Sequence, residues 1–185
     1  MPKTQFQRMF FALVTVLVTV HGYVFYSLYV VNGGALMAAT GASGVLEAIR
    51  RQGGVMLLGR MTPIWGIVLV EFCLAFLLEM VLGSPCSFRL ACRVFDPRTI
   101  HPVLFETAII CATVGLMCPI MSFLAAVLYY PYYAGFSMVS LLASWLRLLC
   151  LNFPFAFFSQ LFFIQPLVRT VFRTVFLHRS APVRT

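Results

Sequence analysis

The sequence predicts an all-α integral membrane protein of four transmembrane helices, arranged as two tandem helix-pair repeats with both termini cytoplasmic. Three observations predict it. Of 185 residues, 62% are hydrophobic and 10% charged, and the mean hydropathy is +0.97, a composition that excludes an ordinary soluble domain. Apolar runs of about 20 residues, the length that crosses a bilayer at about 1.5 Å rise per residue, recur along the whole chain. The basic residues of the short connections gather on one side of those runs.

The first span is placed at Met9–Val31. Its apolar stretch is longer than a signal-peptide core and has no well-placed small-residue cleavage site, so it is expected to be retained. The others are placed at Met61–Gly83, Val103–Tyr129 and Ser140–Gln165. Four spans use up the chain, so no soluble domain is expected. Lys3, Arg8, Arg89, Arg93, Arg98, Arg169, Arg173, Arg179 and Arg184 fall on one side, against Arg50, Arg51 and Arg60 on the other. The positive-inside rule makes the first side cytoplasmic. All seven tyrosines fall near the opposite interface, where amphipathic rings are favoured. The net charge of +8 is thus a feature of one face, suited to anionic lipid head groups.

An internal repeat organises the chain at an offset of 81 residues. Glu71-Phe-Cys-Leu-Ala-Phe76 aligns with Asn152-Phe-Pro-Phe-Ala-Phe157, Pro85 with Pro166, and Val94-Phe95 with Val175-Phe176. This divides the chain into units 1–96 and 97–185, each a helix pair followed by a basic amphipathic tail. Asn32–Gly59 is then an insertion in the outer loop of the first unit, either a short amphipathic helix on the outer surface or a mobile loop.

Acids within an apolar span are the candidates for function, because a carboxylate there must be protonated, paired or wet. Glu71 is placed near the midplane. The repeat puts Asn152 at the same depth, and Arg147, five positions further out on the fourth span, is the available partner. A Glu71–Arg147 salt bridge would fix packing; an unpaired Glu71 could exchange a proton for a cationic substrate. Glu79 and Glu106 each lie about one turn inside the cytoplasmic boundary and could line one vestibule. Their bland roles are pairing of Glu79 with Arg89 or Arg93, and of Glu106 with Arg98 or His101 at a helix start. Pro119 and Pro154 interrupt the third and fourth spans and predict kinks. His21 and the six cysteines read as packing residues, since no second mid-span histidine and no Cys-x-x-Cys pair exist.

The run Trp145-Leu-Arg-Leu-Leu-Cys-Leu-Asn-Phe-Pro-Phe-Ala-Phe157, with Gln165-Pro-Leu-Val-Arg169 and Leu116-Met-Cys-Pro-Ile-Met-Ser122, resembles a bacterial inner-membrane family designated domain of unknown function 2798. Its unit is one helix pair, and its tandem members resemble this chain over nearly the whole length. The first unit departs more, with Glu71 in place of a neutral residue and Cys86 after Pro85. The resemblance implies a multi-pass protein of the bacterial inner membrane and no particular activity. A second resemblance implies chemistry. Arg98-Thr-Ile-His101-Pro102-Val-Leu-Phe105-Glu106 is similar to the Arg-x-x-His-Ala-x-x-Phe-Glu signature of the proteobacterial antimicrobial compound efflux family. Pro102 replaces the alanine, and the start of the first unit lacks both the histidine and the glutamate.

No phosphate loop, nucleophile elbow, zinc motif or nucleic-acid motif is present, so neither an enzyme nor a metal, cofactor or nucleic-acid partner is expected. The expected function is proton-coupled export of cationic or amphipathic small molecules, with Glu71 or Glu106 as the proton and substrate site. The alternative is a non-transporting structural or accessory membrane protein. The expected partners are the lipid bilayer, a cationic substrate and a second copy of the chain, the last because four helices alone enclose little volume and a pathway would need more walls.

Overall fold

The computed structural model describes residues 4–176; Lys3, Arg179 and Arg184, counted above for orientation, lie outside them. The described chain is mainly helical. Helix α1 (Gln5–Tyr26) starts at a Thr4–Gln7 capping box, which satisfies two backbone N–H groups that no preceding turn can reach. It continues through a π-helical turn, Ser27–Val31. Two short helices, α2 (Gly33–Thr40) and α3 (Val45–Gln52), and a hairpin of β1 (Val55–Leu57) and β2 (Arg60–Thr62) follow. Then come α4 (Ile64–Leu78), a π turn (Glu79–Gly83) and α5 (Ser84–Val94). Helices α6 (Pro102–Leu128) and α7 (Met138–Phe158), a π turn (Ser159–Ile164) and α8 (Gln165–Phe176) complete the fold.

Four continuous helical stretches are long and apolar enough to cross a membrane: Gln5–Val31, Ile64–Val94, Pro102–Leu128 and Met138–Phe176. What they bury and expose supports that reading. Small residues fill the contacts, among them Ala12, Ala75, Ala112, Ala126, Ala156 and Ser122. The outside carries bulky apolar side chains such as Trp65 (73% exposed), Phe163 (72%) and Val139 (77%). Water would penalise such a surface, whereas lipid solvates it, and between helices in lipid close approach of small residues replaces the hydrophobic effect.

Helix α1 packs on α4, and α6 packs on α7. The two pairs are joined by their tails: α5, continuing α4, packs on α6, while α8, continuing α7, packs on α1. Edge-to-face contacts of Phe10 with Phe176 and of Phe11 with Phe172 seal the α1–α8 seam. Both tails begin in the same way. Pro85 and Pro166 stand second in α5 and α8 and lack the N–H that would close the preceding α-turn, and the helix widens there. The Ser84 and Gln165 N–H groups accordingly reach back five residues, to the carbonyls of Glu79 and Gln160.

The second span starts later than the sequence suggests. Met61 lies in β2, and α4 begins only after Pro63, whose fixed φ suits an N-cap position. Pro119 and Pro154 leave α6 and α7 continuous. Donors on neighbouring helices reach the backbone around them: Trp145 Nε1–H donates to the Pro119 carbonyl at 3.0 Å, and the Tyr26 hydroxyl to the Leu151 carbonyl at 3.2 Å. The expected insertion holds a short amphipathic helix, α3, which carries Glu47, Arg50 and Arg51, and adds a second helix, α2, packed on it and a hairpin. Both residues of its turn, Leu58 (φ 49°) and Gly59 (φ 77°), take the positive φ that a two-residue hairpin favours. The Leu58 N–H donates to the Leu128 carbonyl at 2.8 Å, tying the hairpin to the end of α6.

Candidate functional site

Because each pair packs within itself and the pairs meet through their tails, a cavity of about 1360 Å³ is left between them. Helices α1, α4, α6, α7 and α8 all contribute to its wall, and Asn32, Leu36, Gln52, Val55 and Met56 of the insertion and its flank line one end.

Polar groups occur at three levels of this mostly apolar cavity. Towards the hairpin end, Glu71 on α4 accepts a hydrogen bond from the Tyr129 hydroxyl, at the C-terminus of α6. Among the described residues no cation pairs with Glu71. Gln52, at the end of α3, lines the same cavity with a buried Oε1 that has no hydrogen-bond partner. At mid-height, Asn152 Nδ2–H donates to Ser122 Oγ at 3.3 Å, and Gln160 Nε2–H to Thr19 Oγ1 at 2.9 Å. At the arginine-rich end, Arg169 on α8 pairs with Glu106 on α6. Glu79 accepts from Ser84 Oγ at 2.8 Å. Gly83, one turn on, leaves open the space this carboxylate occupies; a Cβ there would overlap it.

Of the six residues singled out from the sequence, Glu71, Glu79, Glu106 and Asn152 line this one cavity. Arg147 does not: it is exposed on the outer face of α7, whose buried or part-buried side carries Leu141, Trp145, Leu148 and Asn152. The Glu71–Arg147 bridge is thus absent, because α4 packs on α1 and α7 on α6. His101 caps α6, accepting from the Val103 N–H at 3.4 Å, and leaves Glu106 to Arg169. Glu79 likewise uses Ser84 rather than Arg89 or Arg93.

Sequence reasoning missed Tyr129, Arg169, Gln160 and Gln52. Tyr129 and Tyr130 were read as interfacial tyrosines. Tyr129 instead turns in to Glu71, and Tyr130 is buried, with its hydroxyl accepting from the Ser137 N–H at 2.8 Å. Gln160 and Thr19, 141 positions apart, carried no signal that a single sequence could reveal. Among the described residues no three of His, Cys, Asp and Glu converge as metal ligands would.

Residues 103–176 match the family model described as Domain of unknown function (DUF2798). The DUF2798 match spans α6, α7 and α8, and so covers Glu106, Ser122, Tyr129, Asn152, Gln160 and Arg169 of the cavity wall. Glu71, Glu79 and the insertion lie outside it. Comparison with curated proteins and with solved structures finds no match.

Proposed function

We propose that this protein is a multi-pass protein of the bacterial inner membrane that exports cationic or amphipathic small molecules in exchange for protons, with Glu71 as the exchanging group. The observation that carries the reading is Glu71 itself: a carboxylate on the wall of a large apolar cavity, held by one tyrosine hydroxyl and, among the described residues, by no cation. In a low-dielectric site such a group strongly favours a proton or a cation over neither, and the two compete for it. The whole chain is read as two DUF2798-like units, the first divergent, with both termini cytoplasmic. The shared π turn, second-position proline and crossed tails of α5 and α8 support the tandem reading. In this reading the two helix pairs rock about those tails, and the Gln52 end of the insertion closes the cavity on the far side.

The test is substrate-induced proton movement in proteoliposomes, with a panel of diamines and cationic biocides, comparing wild type with Glu71→Gln and Glu106→Gln. Flux lost in Glu71→Gln and retained in Glu106→Gln supports the reading. Absence of flux from folded wild-type protein for every compound in the panel counts against it.

The accessory reading draws on a different observation, the engagement of the two remaining intramembrane acids. Glu106 is held by Arg169 and Glu79 by Ser84, so both serve to lock α6 to α8 and α4 to α5. Wild-type inactivity together with destabilisation by Glu106→Gln would favour it.

A further inference from the structure

Three arginines lie around the arginine-rich mouth of the cavity. Arg8 comes from α1, and Arg169 and Arg173 stand one turn apart on α8. Of these three, only Arg169 has a carboxylate partner among the described residues, Glu106. Like charges at i and i+4 repel, and Arg8, three positions before Phe11, brings a third cation to the Phe11–Phe172 seam, so three guanidinium groups stand against the single carboxylate of Glu106. Phe11, Phe88 and Phe172 line the same cavity, and Phe88 packs on Phe105, next to Glu106. Guanidinium forks beside an apolar wall, at the end of a membrane-spanning bundle, match one chemistry: a phosphate ester carried on an acyl chain.

We infer that Arg8, Arg169 and Arg173 bind the phosphate of an anionic phospholipid whose acyl chain lies against the Phe11, Phe88 and Phe172 side of the mouth. Glu106 competes with that phosphate for Arg169. The assignment does not rest on transport at Glu71. A free phosphate offers the same charge but leaves the aromatic wall uncovered, which makes the source of the phosphate a measurable distinction.

The experiment is native mass spectrometry of the purified full-length protein, titrated separately with phosphatidylglycerol, phosphatidylcholine and inorganic phosphate. Phosphatidylglycerol is expected to bind more tightly than phosphatidylcholine. Arg8→Ala and Arg173→Ala should each weaken it about fivefold, and the double variant about 30-fold, the effect of about one surface charge apiece. Glu106→Gln, which frees Arg169, should tighten it. Opposite shifts from substitutions at one mouth cannot both come from damaged folding, and Arg8→Lys with Arg173→Lys should keep part of the affinity. Equal affinity for the two lipids, an unchanged double variant, or inorganic phosphate binding as tightly as phosphatidylglycerol would each overturn the assignment.

Discussion

The Glu71–Tyr129 contact can be made to report the charge on Glu71. Tyr129→Phe removes the one hydroxyl that Glu71 accepts from, and Glu71→Met removes the acceptor while keeping an apolar side chain of similar length. A neutral hydrogen bond between membrane helices couples its partners by about 0.6 kcal/mol, rarely above about 1.7. One to an ionised group is worth about 1.5–3 kcal/mol. Among the described residues no cation shares the pair, so no salt bridge should blur the difference. The assay is a double-mutant cycle of equilibrium unfolding in mixed micelles, repeated at several pH values. A coupling of about 1.5–3 kcal/mol at one pH, falling towards about 0.6 kcal/mol at a lower one, would mark the proton uptake that exchange requires. A coupling below about 0.3 kcal/mol at every pH would refute the claim that Tyr129 organises this carboxylate.

Orientation is checked at Cys92, which is exposed near the end of α5 beside Arg93. As the single cysteine it should react with a membrane-impermeant maleimide in inside-out vesicles and be protected in right-side-out ones; the reverse result inverts the topology. Glu47 supplies a pH test outside the spans. Hydrogen bonds from the Ser43 hydroxyl and N–H, and then from Arg51, hold its carboxyl below the usual carboxylate range. Its folded-state pKa is therefore below the unfolded one, so its contribution to the α3 cap is present above the ordinary carboxylate pKa and is lost as pH falls through the depressed value. The protection factor of the Ser43 amide, its exchange rate relative to the intrinsic rate at each pH, should fall across that acidic window, and Glu47→Gln should abolish that change in protection.

Where reasoning from sequence succeeded and failed follows from the range of the forces involved. The four spans were legible because length and hydropathy are local properties, and Glu71 stood out because an acid is costly anywhere in such a run. Its partner was not legible. Depth along a helix placed Arg147 within reach, but depth says nothing of azimuth, and Arg147 lies away from the Trp145, Leu148 and Asn152 side of α7 that turns inward. That phase could have been read from the sequence; the pairing of α4 with α1 rather than α7 could not. Tyr129 was misread for a related reason, since a tyrosine at a helix end suits an interface and an inward hydrogen bond equally well. The insertion, rich in glycine and alanine, offered little periodicity from which to see two helices and a hairpin closing one end of a cavity.

The two ends of the cavity make opposite electrostatic demands, which links the arginine mouth to Glu71. Glu79 lies eight positions along the helix from Glu71, about 12 Å at an α-helical rise, and the arginine cluster lies at the Glu79 end. Val16 and Val20 pack against Ala75, so Glu71, one turn beyond it, stands about 20 Å along α1 from Arg8. At that separation and an effective dielectric constant of about 20, each unneutralised arginine repels a monovalent cation at Glu71 by about 0.8 kcal/mol. Arg8 and Arg173 together would then weaken cation occupancy roughly fifteenfold, and would oppose passage through the mouth more strongly still. An anionic head group seated between them cancels that penalty without touching Glu71. If the two sites work together, cation-driven proton flux should rise when phosphatidylglycerol replaces phosphatidylcholine in the liposomes, and Arg8→Ala with Arg173→Ala should restore flux in phosphatidylcholine alone. Flux indifferent to both changes would separate the sites and leave the arginine mouth as a lipid anchor only.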